Sequence, residues 1–385
     1  MGAGPDRAPA VSSASEYRAL GSLKWSSLDD DVLAAWVAEM DFGLAPAVSG
    51  ALHDAIDRGI TAYPYPEIET ETAGAASRYW ADTLDWEVDS GWVYPAPDVI
   101  EGLRRCIRHL TRPRSPVVLH TPVYFPFYSM VERADREIIE VPSIRESDGR
   151  FRIDLDGIDR AFGDGAGSVV LCNPWNPTGR VLSAEEIGSV IEIADRHDAR
   201  VLSDEVHAPI TYEMTHIPAA SIDADRVATV TAASKAWNLP GLKCAQVVLT
   251  HEADREIWED YFTPDKVGVG TLGLIAGTAA YERGRDWLDE VLEQLARNRG
   301  LLTDLIAESV PGVTMGPVEG TYLAWLDFSA HALDDPAGFL LDTARVALTA
   351  GEPFRGDSGR FARLNFATDE GTLVEIVERI GKALR

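Results

Sequence analysis

Lys235 stands in the run Thr231-Ala-Ala-Ser-Lys-Ala-Trp-Asn-Leu-Pro-Gly-Leu-Lys243, between small residues and ahead of a glycine turn. A lysine so placed is uncrowded, and once desolvated it can lose its proton and attack a carbonyl. Upstream, Ser203-Asp-Glu-Val-His207 puts a carboxylate, Asp204, at the end of an apolar run. A carboxylate there can hold a cationic nitrogen. Further upstream, Asn173-Pro-Trp-Asn-Pro-Thr-Gly179 sets Asn176 between two prolines, which fix a sharp loop and point one amide inward, while Asn173 caps that loop. Singly, each run is weak, because Asn-Pro is an ordinary turn and an acid at a strand end often only caps a helix. The ordered set of amine, acid and amide carries the weight.

The elements that must position these residues follow from apolar patterning. Short apolar runs over Val117–His120, Ile138–Val141, Ser168–Cys172, Arg200–Ser203, Val227–Thr231 and Gln246–Thr250 read as strands. Helical stretches such as Ala184–His197, with Ile187, Val190, Ile191 and Ala194 on one face, lie between them. Continuous apolar strands alternating with helices predict a mostly parallel sheet covered on both faces. In such sheets functional residues gather at the carboxyl ends of strands, where Asn173, Asp204 and the Ser234-Lys235 loop all fall. A helix over Val99–Leu110 follows the Tyr94-Pro-Ala-Pro-Asp-Val99 loop. Its first N–H groups, those of Asp98 and Val99, suit an anion such as a phosphate, with Thr231, Ser234 and Lys243 able to add hydroxyls and charge. Beyond about residue 280 the pattern changes to a long amphipathic helix over Arg285–Val310. A Thr321–Asp327 strand, a helix over Pro336–Ala347 and a Phe361–Phe366 strand follow. Three units are expected: an N-terminal segment, 1–45, packing on the small domain; a large domain, 46–280; and a small α+β domain, 281–385.

Composition narrows the function classes. The 385 residues are 45% hydrophobic and 25% charged, as in an ordinary globular protein. Thirty-five basic against 62 acidic residues give a formal charge of −27, which argues against nucleic acid or an anionic membrane as a partner. Cys106, Cys172 and Cys244 are too few and too apolar in context for a disulfide framework or a zinc site, which points to a reducing, cytoplasmic setting. The stretch from Met1 to about Ser15 lacks the basic start and apolar core of a secretory signal and reads as a mobile tail. No run of roughly 18 apolar residues is present, so no membrane span is expected.

In order and spacing the three runs resemble those of fold-type-I pyridoxal-phosphate (PLP) enzymes of the class I/II aminotransferase superfamily, over nearly the whole chain. The resemblance is greatest to the MalY/PatB-type cystathionine β-lyase (C–S lyase) branch. Its marks are Lys24-Trp25, Trp36-Val-Ala-Glu-Met-Asp-Phe42, Tyr63, Pro122-Val-Tyr124, Cys172 through Arg180, Ser203 through His207, Ser234-Lys235, Gly320 through Asp327 and Arg363-Leu-Asn365. It implies the aspartate-aminotransferase fold, a large PLP-binding domain with a mostly parallel sheet plus a smaller α+β domain. The implied cofactor is pyridoxal 5′-phosphate. PLP needs a tethering amine that later moves the Cα proton, an acid for its ring nitrogen, a donor for its 3′-oxygen and a phosphate cup. Lys235, Asp204 and Asn176 fit the first three demands. Tyr124, in an aromatic cluster, offers a face for the ring and completes a catalytic set with Lys235 and Asp204. His207 would hydrogen-bond from behind, and Asp98, Val99, Thr231, Ser234 and Lys243 would serve the phosphate. Arg363 would grip the substrate carboxylate, with Trp36 and Asn176 beside it.

By the same resemblance Tyr63 reaches the phosphate of the neighbouring subunit, which implies a homodimer with shared active sites. Three positions depart from wider family patterns. Lys243 stands where many relatives have arginine, Ala96-Pro97-Asp98 where glycine is frequent, and His207 where classical aminotransferases have tyrosine. The last favours the lyase branch. The expected reaction is β-elimination of L-cystathionine or a related cysteine S-conjugate to pyruvate, ammonia and a thiol. An aminotransferase uses the same residues and stays open as an alternative, as does a catalytically silent PLP-fold module, against which the intact Lys235, Asp204 and Asn176 weigh.

Overall fold

The computed structural model describes residues 14–19, 21–260 and 268–385. The expected N-terminal tail lies outside them except for Ala14 and Ser15, which open a short helix, Ala14–Ala19.

Seven strands form the central sheet, in the spatial order Val93–Ala96, Ala245–Val248, Val227–Thr231, Arg200–Asp204, Ser168–Cys172, Val117–Thr121 and Ile138–Pro142. The last five run parallel, and Ala245–Val248 is antiparallel to both its neighbours. Side chains alternate across this sheet, so each apolar strand feeds two cores. Val169, Leu171 and Val201 pack in one cluster with Ile187, Val190 and Ile191 of the helix Ala184–Arg196. Val170, Leu202, Val230 and Val247 pack in the other with Leu103 and Ile107 of the helix Val99–Leu110. Each such aliphatic side chain contributes about 1.5–3 kcal/mol by leaving water. The Ala184–Arg196 helix opens on a capping box, in which the Ser183 hydroxyl accepts from the Glu186 N–H and the Glu186 carboxylate accepts from the Ser183 N–H.

Downstream, the long helix is Arg285–Ser309, and an antiparallel sheet orders Thr314–Met315, Leu323–Asp327, Phe361–Asn365 and Thr349–Ala350. The helix expected over Pro336–Ala347 ends at Ala344. Arg345 turns left-handed there (φ 54°), and Val346–Ala347 pairs instead as a parallel strand with Leu33–Ala34. That pairing ties the N-terminal segment to the C-terminal third of the chain. Arg345 reinforces it by binding Asp29 and Asp31. A buried ion pair, Lys24 Nζ to Asp41 Oδ2 at 2.8 Å, joins the two ends of the segment on either side of Leu33–Ala34. No helix among the described residues is long and apolar enough to cross a membrane.

Candidate active site

A cavity of about 270 Å³ opens at the carboxyl ends of the parallel strands. Lys235 lies on its wall, in the loop after Val227–Thr231, and its Nζ donates to the Ala38 carbonyl at 3.0 Å. Burial, assisted by the charge of Arg363, pulls the Lys235 amine down to about 8 from its ordinary 10.5. Asp204 ends its strand and is 4% exposed. Its Oδ1 accepts from the Val206 N–H at 3.1 Å, and the Cys172 thiol lies 3.8 Å from its Oδ2. Burial pushes this carboxyl up to about 7. A cation placed against it would hold it ionised, so the pocket suits a protonated ring nitrogen.

Asn176 is brought in by the loop after Ser168–Cys172, which carries cis bonds at Asn173-Pro174 and Asn176-Pro177. Its Oδ1 accepts from an Arg363 Nη at 2.8 Å, which commits its oxygen and leaves the NH₂ end as the donor. Arg363, in the strand Phe361–Asn365, is 3% exposed. Its other Nη donates to the Trp36 carbonyl and to Thr349 Oγ1, both at 3.2 Å, while its Nε is buried without a partner. The guanidinium lies 5.2 Å from the centre of the Phe354 ring and takes part in no ion pair among the described residues. Burial lowers its pKa to about 10. A buried cation without an anion is costly, and a substrate carboxylate would relieve that cost.

Tyr124 and His207 also face the cavity. Tyr124 meets Phe127 edge-on at 5.7 Å, which fixes its ring plane. His207 is buried with an unpartnered Nδ1, and burial, then the charges of Lys235 and Arg363, hold it well below its usual pKa. Asp98, Val99, Ser234, Lys243 and Trp36 complete the set of expected residues on the wall. The Val99–Leu110 helix points its N-terminus at the cavity, with Asp98 Oδ1 capping the Glu101 N–H at 2.8 Å. Lys243 Nζ sits 2.8 Å from Asp98 Oδ2.

Two expected residues are not brought to the cavity. Thr231 is buried, and its hydroxyl donates to the Glu205 carbonyl at 2.9 Å, so it braces the two strands rather than facing a phosphate. Tyr63 is 89% exposed and absent from the cavity wall of its own chain. Conversely, the structure adds groups that sequence reasoning missed: the Ala38 carbonyl, the Thr349 hydroxyl, and the apolar walls Val37 and Phe125. Backbone carbonyls leave no mark in a sequence. Thr349 could have been found only from its pairing with Arg363 across two strands.

The donor set therefore fits PLP. It offers an amine with a depressed pKa, a buried acid awaiting a cation, a helix N-terminus and a tyrosine ring around one cavity. A family model for aminotransferase class I and II matches residues 34–380. The chain belongs to that family. A cystathionine β-lyase of Corynebacterium glutamicum is 37% identical over 94% of this chain and 96% of that protein. The cystathionine β-lyase PatB of Bacillus subtilis is 32% identical over 94% and 96%. Among solved structures, cystalysin from Treponema denticola, which contains a pyridoxal 5′-phosphate cofactor, superposes with a TM-score of 0.88 at 27% identity, covering 95% of this chain and 96% of that one. Within this family the seven-stranded sheet and its flanking helices are the aspartate-aminotransferase-like fold.

The lowered Lys235 pKa has a kinetic consequence. At pH 8 about half of the amine is neutral, against roughly 0.3% for an ordinary lysine. Adding PLP to the cofactor-free protein should give yellow colour at a rate that rises with pH and levels off above a midpoint near 8. Stopped-flow absorbance checks this, and a rate still climbing tenfold per unit at pH 9 would contradict it.

Proposed function

We propose that this chain is a PLP-dependent C–S lyase that cleaves L-cystathionine or a related cysteine S-conjugate to pyruvate, ammonia and a thiol. The observation that carries the reading is the pairing, across one cavity, of the lowered-pKa Lys235 amine with the anion-less Arg363 guanidinium. An α-amino acid brings the complementary groups. Its carboxylate goes to Arg363, and its Cα then lies toward Lys235. Relatives named as cystathionine β-lyases favour elimination over amino transfer.

When bound, PLP supplies an electrophilic aldehyde and a ring that accepts electrons. Lys235 would hold that aldehyde, and its amine, once released, is the group placed to take the Cα proton. Asp204 would keep a proton on the ring nitrogen, and the Asn176 N–H would serve the 3′-oxygen with His207 in support behind it. Tyr124 would offer the ring a face. The N–H groups that open the Val99–Leu110 helix, with Ser234 and Lys243, would hold the phosphate. Arg363 binds the carboxylate with two prongs, while Trp36 and Asn176 close around it. As the Cα proton passes to Lys235 Nζ, the Cβ–S bond breaks and the thiolate departs. Water then completes the release of pyruvate and ammonia.

The reading includes a homodimer. Tyr63, exposed and away from its own cavity, serves the phosphate site of a second copy. It also includes a reducing, cytoplasmic setting, with Cys106, Cys172 and Cys244 all free thiols.

Incubating the PLP-loaded protein with L-cystathionine should yield pyruvate, ammonia and homocysteine in equal amounts with no 2-oxo acid present. Product that forms only when a 2-oxo acid acceptor is added would make the protein an aminotransferase.

A further inference from the structure

Residues Trp36 to Asp41 form a strap whose first three residues line the cavity, and two asparagine amides grip it. Asn365 Nδ2 donates to the Val37 and Glu39 carbonyls at 2.6 and 2.7 Å. Asn238 closes a two-way bond with Met40: its Oδ1 accepts from the Met40 N–H and its Nδ2 donates to the Met40 carbonyl, both at 2.9 Å. Between the two carbonyls that Asn365 holds lies that of Ala38, which receives Lys235 Nζ and the Tyr322 hydroxyl, each at 3.0 Å, and the Asn238 grip on Met40 follows two residues on.

The origins of the two amides give the strap its meaning. Asn238 lies three residues after Lys235 in the same loop, held at a left-handed φ of 56°. Asn365 lies two residues after Arg363 in the same strand, so both side chains leave the sheet on one face. One grip therefore moves with the amine and the other with the guanidinium. The strap joins them through six residues that bend tightly at Val37-Ala38, where the Glu39 N–H donates to the Val37 carbonyl at 2.9 Å.

Resting on the functional reading above, we propose that Asn238 and Asn365 are positioning residues. Through the strap they set the distance between Lys235 Nζ and the Cα of a substrate held by Arg363. Neither amide touches the reacting atoms. Releasing either grip lets the base drift while the cofactor stays bound. A misplacement of about 1 Å in a proton-transferring group slows the step by up to about 100-fold.

The test uses the PLP-loaded protein and two variants. Asn238→Gly removes the amide while allowing the left-handed backbone, and Asn365→Ala is the second arm should the first not fold. Three readouts are taken: amide hydrogen exchange over residues 36–41, kcat and KM for L-cystathionine, and the primary isotope effect with the α-deuterated substrate. The expected result is faster exchange in the strap, unchanged yellow colour and kcat lower by about 10- to 100-fold. KM should stay within about twofold, and the isotope effect should be larger than in the parent, because proton transfer becomes limiting. Parent-like kcat and isotope effect despite a loosened strap would overturn the proposal alone. So would a loss of kcat accompanied by loss of colour and an unchanged isotope effect, which marks plain structural damage. A parent protein that releases no pyruvate overturns the functional reading and this proposal with it.

Discussion

Lys235→Ala is expected to reduce pyruvate release by about 10⁴-fold or more and to leave the PLP-treated protein without its borohydride-bleachable yellow colour. The size follows from two roles residing in one atom. Among the described residues Nζ is the only amine on the cavity wall besides that of Lys243, which is already paired with Asp98 at 2.8 Å. Proton transfer at Cα contributes about 10²–10⁴-fold by itself, and loss of the tether adds to it. No neighbour can stand in, because Arg363 remains a cation even with its pKa lowered to about 10, and His207 is turned away from protonation. Steady-state assay and an absorbance scan decide the matter. Near-parental turnover in this variant would overturn the assignment of the whole site.

Asp204→Asn should divide stability from function. In the cofactor-free protein the carboxyl titrates near 7, against an ordinary 3.8, because it is buried with few donors. Its native form therefore holds a proton between about pH 4 and 7 that the unfolded chain has lost. Stability falls as pH rises through that window, and above it the full penalty of a few kcal/mol applies. Asparagine keeps an acceptor for the Val206 N–H and carries no charge, so the cofactor-free variant should melt no lower, and at pH 8 higher, than the parent. Turnover should fall by about 10²-fold or more, since the ring nitrogen loses its charged partner and a charge-assisted hydrogen bond with it. Thermal melts at pH 5 and 8, set beside pyruvate assays, test both halves. A variant with unchanged turnover would show that Asp204 does not hold the ring nitrogen.

Much of this architecture was legible because its signals are local. The helix Val99–Leu110 and the strands Ser168–Cys172 and Val227–Thr231 have the bounds that patterning alone assigns, since Asp98 caps the helix and continuous apolar runs fill strands buried on both faces. Direction was not legible. Ala245–Val248 reads like its neighbours yet runs opposite to them, because a buried strand has the same composition whichever way it points. The helix stop at Arg345 was hidden for a similar reason. The sequence Ala344-Arg-Val-Ala347 holds no Gly or Pro, and its break is set by pairing with Leu33–Ala34, more than 300 residues upstream. In the site, Lys235, Asp204, Asn176, Tyr124 and Arg363 converge because each follows a strand or sits on one. The bond of the Thr231 hydroxyl to the Glu205 carbonyl was not legible, because proximity to Lys235 in sequence says nothing about which side of the strand a hydroxyl takes.

The carboxylate of Asp98 has a bearing on how the cofactor arrives. It stands where the helix terminus would greet a phosphate, on a chain whose formal charge is −27. A doubly negative molecule approaching from bulk water climbs a repulsive potential before it feels the local attraction of Lys243 and the helix N–H groups. Dissolved ions shrink the reach of that potential, to about 10 Å at 0.1 M, while leaving short-range contacts largely intact. Loading of this protein is thus expected to quicken as salt is added, the reverse of the behaviour of an anion site set in a basic surface.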